Sequence, residues 1–456
     1  MKISILLDPN PTQLIMDTMN MIYRSLDNAT VDDFEILVPT SKLTYKSAEF
    51  FLRWRNVRLI DLPENSSRAH FWNAASKYVS SDSDYILLLD LRVLLRDSTI
   101  KNMLDMVEKD PMTGAVSAIY NKSIYGLLIA GVQENVSIEE WNRIADYHEN
   151  NYMYSRATRM YLEGFCMMIR KNVVDEVQSK FGMLADETFD RSQLDDVDLS
   201  MKILQCGYKL KAAAAFCFIT TDYNDEILNR DVDAAEINFK KIYGFSIFYS
   251  SFVRYDLLDL IKDVDREGVK ILDVGCAAGS NLAILRDWNP TAKLFGIEIN
   301  THAAKIASCI ANVVGADVET MPLDEKDFDY IICADVIEHL RDPWTALKNL
   351  REMLKPGGHL IASLPNVMYI DNMDKLLHGH WDYEDAGILD RTHLRFFTAD
   401  SIRKIFAQEN FTISKMYNVS FGLSDEHQKL AEKLSDMFDI DIENFYSFQY
   451  YVDAVK

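Results

Sequence analysis

The sequence predicts an α/β protein with two domains. Its 456 residues are too many for one ordinary hydrophobic core, and 48% of them are hydrophobic, which is enough for two packed interiors. Short runs of leucine and β-branched residues alternate with helical patterns near both ends of the chain, as in strand–helix–strand units with parallel sheets. This composition excludes a disordered or fibrous protein.

The chain is strongly acidic. Lys and Arg total 48 against 70 Asp and Glu, which gives a formal charge of −22. This charge repels nucleic acid and anionic lipid, so we expect a ligand that is neutral, cationic, or an anion held by a local group of charges. The longest apolar runs, Tyr85–Leu95 and Ala212–Ile219, fall short of the roughly 20 residues that a bilayer crossing needs. We therefore expect a cytoplasmic protein without a transmembrane segment.

The cysteines predict no metal centre. They are widely spaced and form no C-x-x-C pair, so we expect reduced thiols rather than a zinc site. They are Cys166, Cys206, Cys217, Cys276, Cys309 and Cys333.

The first series of elements occupies the N-terminal half of the chain. Its strand candidates alternate with helical patterns, which predicts a parallel sheet. The strands are Lys2–Leu7, Phe34–Pro39, Val57–Asp61 and Tyr85–Asp90, with helices near Gln13–Leu26 and Ser67–Val79.

An acidic stretch separates the two series. Asp222–Glu236 carries many carboxylates and few large apolar residues, which is typical of a solvated connection. The aromatic segment Phe239–Val264 follows it, and we expect this segment to form helices that pack on the second domain. We place the junction near residue 235, with domains over 1–235 and 269–456 and a helical linker region over 236–268.

The second series begins with a strand that leads into a glycine-containing turn. Val269–Val274 is followed by Gly275 and Gly279, and such glycines let the backbone approach a ligand at the carboxyl edge of a sheet. The next strand contains Glu298, nineteen positions past Gly279, where a carboxylate can accept hydrogen bonds from ribose hydroxyls. Together these features predict a cofactor that bears a nucleoside.

The charge near this turn distinguishes between cofactors. A dinucleotide pyrophosphate favours helix N-terminal amides without a nearby carboxylate, whereas Asp273 lies at the approach to the turn. S-adenosylmethionine has no phosphate, and an acidic rim favours its ammonium and sulfonium groups. The elements that follow are Asp317 after a third strand, strand Asp327–Asp335, helix Trp344–Leu354, and strands His359–Leu364, Phe411–Val419 and Phe448–Val455.

These residues resemble the class I S-adenosylmethionine-dependent methyltransferases over roughly residues 245–456. The resemblance implies a Rossmann-like sheet of seven strands. Its carriers are Leu272-Asp-Val-Gly-Cys-Ala-Ala-Gly279, Gly296-Ile-Glu-Ile299, Ala334-Asp-Val-Ile-Glu-His-Leu340, Leu354-Lys-Pro-Gly-Gly358 and Ser363-Leu-Pro-Asn366.

The resemblance also implies the residues of a cofactor site. It implies that the turn lies along the methionine part of the cofactor and that Asp335 lies beside the methionine end. It also implies that Glu298 binds the ribose and that Asp317 and Val318 border the adenine. Ala277 stands where the family commonly has glycine, a departure that does not prevent binding. The predicted set is Asp273, Gly275, Cys276, Ala277, Gly279, Glu298, Ile299, Asp317, Val318 and Asp335.

Two histidines are candidates for the base that methylation of a hydroxyl requires. A histidine titrates near pH ~6.5, which suits proton removal. The alternative for His339 is a capping or packing residue, and for His393 it is a structural ion-pair cluster with Asp390, Arg391 and Arg395. Nearby aromatic residues either stack on sugar rings or form the small core of a lid. They are Tyr369, His378, His380, Trp381 and Tyr383.

The region from Pro365 to Thr398 resembles methyltransferases of bacterial surface-glycan assembly, and the N-terminal part resembles family 2 glycosyltransferases of the GT-A fold. The second resemblance spans about residues 1–225. Its carriers are Asn65-Ser-Ser-Arg68, Asn73-Ala-Ala, Asp84-Tyr-Ile-Leu-Leu-Leu-Asp90-Leu-Arg92, Glu163-Gly-Phe-Cys-Met-Met-Ile-Arg170, Asp195-Asp-Val-Asp-Leu199 and Gly207-Tyr208.

The resemblance implies a donor site that is altered in this chain. The family holds a nucleotide-diphosphate sugar through a divalent ion on an Asp-x-Asp pair, but here the pair reads Asp90-Leu-Arg92. Arg68 is a further candidate for donor binding, and Asp196 occupies the position of the acceptor-side base. Arg92 either replaces the ion, because guanidinium binds phosphate well, or marks an inactive site. A requirement for Mg²⁺ or Mn²⁺ therefore stays open.

Three hypotheses follow. The first is a bifunctional enzyme of polysaccharide biosynthesis, in which a glycosyltransferase uses a nucleotide sugar on a glycan or glycoprotein acceptor and a methyltransferase methylates a sugar hydroxyl. The second is a methyltransferase whose first domain only binds carbohydrate or nucleotide. The third is a scaffold without activity. The sequence leaves the donor sugar, the acceptor, the methylated atom and the oligomeric state open.

Overall fold

The computed structural model describes residues 1–9, 15–62, 67–121, 136–151, 158–189, 194–220, 232–320 and 325–456. These residues divide into two compact units, Met1–Ser251 and Phe252–Lys456. Asn65 and Ser66 of the first-domain motif and residues 222–231 of the acidic stretch lie outside the described residues. Among the helices described, none has the length and apolarity needed to cross a bilayer.

The first unit is an α/β domain around a mixed sheet. Its strands are β1 (Lys2–Asp8), β2 (Asp33–Pro39), β3 (Val57–Ile60), β4 (Tyr85–Asp90), β5 (Val93–Leu94), β6 (Thr113–Tyr120), β7 (Thr158–Arg159), β8 (Cys166–Arg170) and β9 (Lys209–Ile219). Its helices are α1 (Ile15–Asn28), α2 (Tyr45–Phe51), α3 (Arg68–Ala75), α4 (Thr99–Glu108), α5 (Ile138–Asn151), α6 (Lys171–Phe181), α7 (Asp195–Gln205), α8 (Val232–Tyr243) and α9 (Ile247–Ser250). All four strands predicted for this region are present, with ends shifted by one residue at most.

Strand order in this sheet is β3-β2-β1-β4-β8-β6-β9-β5, with β7 paired to β9. Strands β3, β2, β1 and β4 are parallel to one another, whereas β8 is antiparallel to β4. Every residue of β4 is buried, as expected for an apolar strand covered on both faces. Its last residue, Asp90, pairs in register with Asp8 at the end of β1, so two buried carboxylates lie at the same edge of the sheet.

The second unit contains the predicted sheet of seven strands. Its order is β12-β11-β10-β13-β14-β16-β15, parallel except that β16 is antiparallel to both of its neighbours. The strands are β10 (Lys270–Val274), β11 (Lys293–Glu298), β12 (Asn312–Gly315), β13 (Phe328–Ala334), β14 (Leu354–Pro365), β15 (Thr412–Val419) and β16 (Gln449–Val455). The helices are α10 (Tyr255–Leu258), α11 (Ser280–Trp288), α12 (Thr301–Ala307), α13 (Pro343–Met353), α14 (Ile370–Leu377), α15 (Ala399–Gln408), α16 (Asp425–Phe438) and α17 (Glu443–Tyr446).

Local sequence explains where several of these helices begin. Asn300 caps α12, since its side chain accepts hydrogen bonds from the first backbone amides of the helix. Asp342 caps α13 in the same way and is followed by Pro343, whose missing amide hydrogen costs nothing at the first helical position. Thr398 starts α15 with a capping box. These caps hold the helices against a sheet whose strands β10, β11 and β13 all end at the same edge.

The aromatic segment between the two series does not pack as the sequence suggested. Phe239 and Tyr243 of α8 are stacked on each other, and Phe239 also lies against Phe189 of the first unit. Farther along the chain, Leu257 and Ile261 are buried in the core of the second unit. The prediction that the whole segment packs on the second domain is therefore wrong for its first part, because its apolar residues meet a partner on the first unit.

The last turn of α16 leaves two large apolar side chains exposed. Leu434 is buried, but Met437 and Phe438 are 72% and 61% exposed. The helical period places them on the apolar face, yet the helix ends at Phe438 and its last turn extends beyond the small cluster that Leu434 joins.

Candidate functional sites

The glycine-containing turn of the second unit joins the ends of two parallel strands. The backbone amides of Gly275 and Cys276 donate to the carbonyl oxygen of Ile297 at 2.8 and 3.1 Å. Gly275 has φ +69°, and a Cβ added there would lie 2.8 Å from a methyl group of Val336. Gly279 has φ +95°, so both glycines hold a conformation that a side chain would strain. Ala277, between them, has φ +48°. The turn is thus shaped for close approach of backbone to a ligand.

Glu298 anchors this turn. Its carboxylate accepts hydrogen bonds from the amides of Ala277 at 2.8 Å and Asn300 at 2.7 Å, one on each oxygen. A carboxylate oxygen has two lone pairs, so each retains one for a further donor such as a ribose hydroxyl. The nearby Ile299 is 68% exposed, an apolar side chain at the ligand edge of the sheet.

Asp273 carries a buried carboxylate at the end of β10. The residue is 1% exposed, and neither carboxylate oxygen has a hydrogen-bond partner within the described part of the chain. Burial, together with the proximity of Glu298, raises the pKa of Asp273 to about 7, and Asn281 opposes the shift. An orphaned buried carboxylate is costly, so it indicates a site that a polar or cationic ligand completes.

The end of β13 carries Asp335, which lies in a charged cluster. Asp335 has φ +52°, and Ser363 donates to its carboxylate at 2.7 Å. Arg254 and Gln449 also donate to this carboxylate. Sequence reasoning did not single out Arg254, because an arginine followed closely by Asp256 and Asp259 does not stand out in the sequence. Its guanidinium also pairs with Asp256, at 3.0 Å.

Asp317 and Val318 follow β12 at the same edge. The Asp317 carboxylate accepts from the amide of Glu319 at 2.9 Å and from Arg341 at 3.2 Å. Val318 is partly buried and packs against the core of the unit. The predicted cofactor residues thus come from the ends of β10, β11, β12 and β13, which parallel pairing brings to one edge.

The two candidate bases are neighbours, although 53 positions separate them in the chain. The rings of His339 and His393 lie 4.7 Å apart, centroid to centroid, in an edge-to-face arrangement. The Nδ1 atom of His393 is 2.9 Å from the carbonyl oxygen of Ile388, and that of His339 is 3.2 Å from the carbonyl oxygen of Thr392. Burial and the neighbouring His393 lower the pKa of His339, which favours neutral imidazole.

In the first unit, Asp90 and Arg92 form a closed pair. The Arg92 guanidinium donates from Nε to Asp90 Oδ1 at 2.9 Å and from Nη2 to Oδ2 at 2.6 Å. The backbone amide of Arg92 donates to Oδ1 as well, at 2.9 Å. Asp90 is buried, and the opposite charge of Arg92 is a main reason why its pKa is lowered despite burial. The guanidinium therefore occupies the oxygens with which this carboxylate would bind a metal ion.

Arg68 and Asp196 form a second closed network. Arg68 donates from Nε to Asp195 at 2.8 Å and its Nη2 lies 3.1 Å from Asp196 Oδ2. Asp196 is 1% exposed and also accepts from the amides of Gly164 and Val197 at 2.8 and 2.9 Å. Burial raises the pKa of Asp196 to about 6, with Arg68 opposing the shift. The predicted donor-binding arginine and the predicted base are thus partners of each other.

Comparisons with known proteins agree with the two-unit division. Residues 18–178 match the model of the glycosyl transferase family 2, and residues 249–415 match the model of a methyltransferase domain. Each model covers about a third of the chain, on a different unit.

Several curated methyltransferases match part of the chain. They include the tRNA U34 carboxymethyltransferase of Campylobacter curvus, 31% identical over 27% of this chain and 42% of the relative. The ubiquinone biosynthesis O-methyltransferase of Alkalilimnicola ehrlichii is 33% identical over 22% of this chain and 43% of the relative. The demethylmenaquinone methyltransferase of Staphylococcus aureus is 29% identical over 38% of this chain and 81% of the relative. The chain thus spans less than half the length of the first two.

Solved structures with detectable similarity include an S-adenosylmethionine-dependent methyltransferase from Archaeoglobus fulgidus. It is 17% identical with a TM-score of 0.33, covering 48% of this chain and 99% of its own. A likeness at this level does not bear on function. The family matches, together with the two sheets, show that the chain combines a family 2 glycosyl transferase domain of α/β fold with a methyltransferase domain.

Proposed function

We propose that the second unit transfers the methyl group of S-adenosylmethionine to a hydroxyl of a sugar in a glycan or glycoprotein. The observation that carries the cofactor assignment is the orphaned Asp273 carboxylate beside a turn that tolerates no Cβ at Gly275. A buried anion without a partner suits a cofactor that carries an ammonium and a sulfonium and lacks phosphate.

Each cofactor contact is proposed for a residue at the carboxyl edge of the sheet. Glu298 holds the ribose through its remaining lone pairs, and Ile299, Asp317 and Val318 border the adenine. The methionine end lies beside Asp335, where the Arg254 guanidinium is placed to bind its carboxylate. These residues would hold the cofactor, which would supply an electrophilic methyl group on a sulfonium.

The reaction is an in-line displacement, and the chain contributes mainly position. S-adenosylmethionine supplies the methyl carbon: the acceptor oxygen forms a bond to it as the carbon–sulfur bond breaks and the electron pair stays on sulfur. The acceptor hydroxyl must lose its proton in this step. His339 and His393, which lie together, are the groups proposed to meet the acceptor. Trp381 and Tyr383, of which Tyr383 is exposed, are proposed to stack on its sugar ring.

For the first unit, the ion pairs favour a binding role over glycosyl transfer. Arg92 neutralises Asp90, and Arg68 is shared by Asp195 and Asp196, so the charges that would hold a metal-bound nucleotide sugar are satisfied within the chain. The bifunctional enzyme remains the alternative. It requires Arg92 to leave Asp90 and bind the donor diphosphate directly, without a divalent ion. We place either reaction in the cytoplasm, since scattered cysteines suit a reducing compartment.

Two measurements test the methyltransferase proposal. Isothermal titration calorimetry of the full chain with S-adenosylmethionine should show one binding site. If the chain does not bind S-adenosylmethionine, the proposal is wrong. Mass spectrometry of surface glycans from a strain that lacks the gene should then show species lighter by one methyl group. Loss of a whole sugar instead would support the bifunctional alternative.

A separate assay tests the first unit. The full chain is incubated with a panel of nucleotide sugars, with Mg²⁺, with Mn²⁺ and with chelator, and release of nucleoside diphosphate is followed. We expect no release under any condition. Release that persists in chelator would establish the metal-independent transferase, and release only with a divalent ion would show that Arg92 leaves Asp90.

A further inference from the structure

Three side chains with metal-binding atoms meet next to the end of β13. Glu338 and His339 belong to the 3-10 turn Ile337–His339 that follows the strand, and His393 comes from a segment more than 50 positions later. One potential ligand atom of each lies within 4.8 Å of the other two. The two segments are joined by the backbone, since the amides of Leu394 and Arg395 donate to the Glu338 carbonyl oxygen at 2.8 and 3.0 Å. Backbone hydrogen bonds therefore hold the two segments of the cluster next to each other.

Both imidazole rings have the same nitrogen against a backbone carbonyl group. In each ring Nδ1 faces a backbone carbonyl oxygen, at 2.9 Å in His393 and 3.2 Å in His339. A carbonyl only accepts hydrogen bonds, so the neutral ring carries its proton on Nδ1 and keeps the lone pair of Nε2. A backbone carbonyl on the opposite nitrogen is also how proteins orient histidines that bind metal ions.

Glu338 adds an independent indication. The residue is 1% exposed, and its Oε2 atom has no hydrogen-bond partner in the part of the molecule that is described. Such a carboxylate is expensive to bury alone, and a cation bound by it and the two imidazoles would remove the cost.

We propose that Glu338, His339 and His393 bind one divalent transition-metal ion that holds the acceptor oxygen for methylation. Two imidazoles and one carboxylate are the ligands that Zn²⁺, Mn²⁺ and Fe²⁺ take in sites with open positions, whereas Mg²⁺ prefers oxygen. Three ligand atoms that each lie roughly 2.0–2.2 Å from one ion are separated by about 3.3–3.8 Å. Side-chain shifts of up to about an ångström would thus complete the site.

The ion would change how the acceptor is activated. A divalent ion lowers the pKa of an oxygen group bound to it, so the hydroxyl proton would pass to water and the oxygen lone pair would attack the methyl carbon. The carbon–sulfur bond breaks, and the neutral thioether leaves. Histidines that bind the ion through Nε2 cannot also act as bases, so this site replaces the base role predicted for His339 and His393. The inference rests on the proposed methyltransferase function.

The test measures metal binding apart from activity. Full-length chain is stripped with chelator and titrated with Mn²⁺, followed by electron paramagnetic resonance, and with Zn²⁺, followed by equilibrium dialysis and elemental analysis. We expect about one ion per chain, with competition between Mn²⁺ and Zn²⁺ and none from equimolar Mg²⁺. His339→Ala, His393→Ala and Glu338→Gln should each weaken binding by at least roughly 100-fold, whereas His427→Ala, which changes a histidine of α16, should not.

Calorimetry with S-adenosylmethionine on the same variants shows whether they fold, because the cofactor residues are unchanged. Variants that bind the cofactor normally and the metal weakly support the site. Wild-type chain that binds no ion, or variants that bind it as well as wild type, overturn it. Methyl transfer at full rate by the stripped chain would refute the metal while upholding the proposed function. Metal binding with no methyl transfer to any glycan would uphold the site and refute the proposed function.

Discussion

Buried carboxylates lie at the carboxyl ends of parallel strands in both units, but their partners differ. Asp90, at the end of β4 in the first unit, is bonded by three groups of Arg92, and Asp196, at the start of helix α7, is bonded by Arg68 and two backbone amides. Asp273, in the second unit, has no hydrogen-bond partner among the residues described. A buried carboxylate that accepts hydrogen bonds from its own chain stabilises the fold. A buried carboxylate without such bonds destabilises it, and a ligand that donates to the carboxylate removes this cost and thereby binds more tightly. The difference is what distinguishes our proposals for the two units.

The largest expected effect comes from filling the turn of the second unit. Gly275→Arg should weaken binding of S-adenosylmethionine by more than about 100-fold, since the left-handed backbone alone costs about 1–2 kcal/mol and the side chain collides with Val336. Calorimetry measures the affinity. The same change at Gly422, where a Cβ meets nothing within 4 Å, is the control. Equal affinity in Gly275→Arg and wild type would place the cofactor elsewhere.

The next effect is on the stability of the first unit. Arg92→Ala should lower the free energy of unfolding by about 3–5 kcal/mol, because it leaves Asp90 buried without its main counter-charge. Arg24→Ala removes an exposed pair with Asp97 and should cost no more than about 1 kcal/mol. Denaturant unfolding compares the two variants. A neutral result for Arg92→Ala would mean that this arginine is available for a sugar donor.

Arg92→Asp extends the same comparison. It recreates an Asp-x-Asp pair and places two carboxylates where one pair of opposite charges stood. We expect the variant to be less stable than wild type and to regain stability when Mn²⁺ is added, with no such gain in wild type. Thermal unfolding with and without Mn²⁺ measures this. Failure of the ion to stabilise the variant would show that the position of residue 92 cannot support a metal.

The unsatisfied carboxylate predicts a pH dependence. The pKa of Asp273 is raised from 3.8 to about 7, so its contribution favours the folded chain below pH 3.8 and is lost as the pH rises to about 7. Relative to Asp273→Asn, the wild-type unfolding free energy should therefore fall by up to about 1.4 kcal/mol per pH unit across this window. Unfolding of both chains at several pH values measures the difference. Asp196 also has a raised pKa, but its contribution to the pH dependence is the same in both chains and drops out of the difference.

Asp265→Asn, which changes an exposed carboxylate, is the control for this experiment. Its unfolding free energy should vary with pH in the same way as that of wild type. Saturating S-adenosylmethionine should reduce the pH dependence of wild type, because the cofactor gives the carboxylate a partner. A wild-type curve that stays parallel to Asp273→Asn would show that the carboxylate is satisfied after all.

The smallest effect is expected at the ribose position. Glu298→Gln keeps the size of the side chain but replaces one acceptor oxygen by an amide group that faces a backbone amide. A lost hydrogen bond to a charged group is worth about 1.5–3 kcal/mol, so affinity for S-adenosylmethionine should fall roughly 10–100-fold. Glu352→Gln, on the exposed side of α13, should leave affinity unchanged. No loss at Glu298 would remove it from the cofactor site.

Much of the second unit could be predicted because its signals are local. The strand before Gly275 and the spacing from Gly279 to Glu298 follow from one strand–turn–helix–strand unit, in which chain distance sets spatial distance. Arg254 was missed because it precedes that strand–turn–helix–strand segment in the chain, and its bonds to Asp335 and Ser363 join residues far apart in sequence. The fate of Phe239 was mispredicted because an apolar residue seeks whichever partner the fold offers, and sequence alone does not say which unit that is.

By itself, the sequence determined the alternation of strands and helices, the two α/β domains and the turn that bears the cofactor. These depend on periodicity and on backbone freedom at glycine, which are properties of neighbouring residues. Only the tertiary structure decided that Arg92 pairs with Asp90, that Asp273 has no hydrogen-bond partner among the residues described, and that His339 lies against His393. The energetic contribution of a charge depends on its burial and on its distances to neighbouring groups. Packing sets those distances, and spacing along the chain does not.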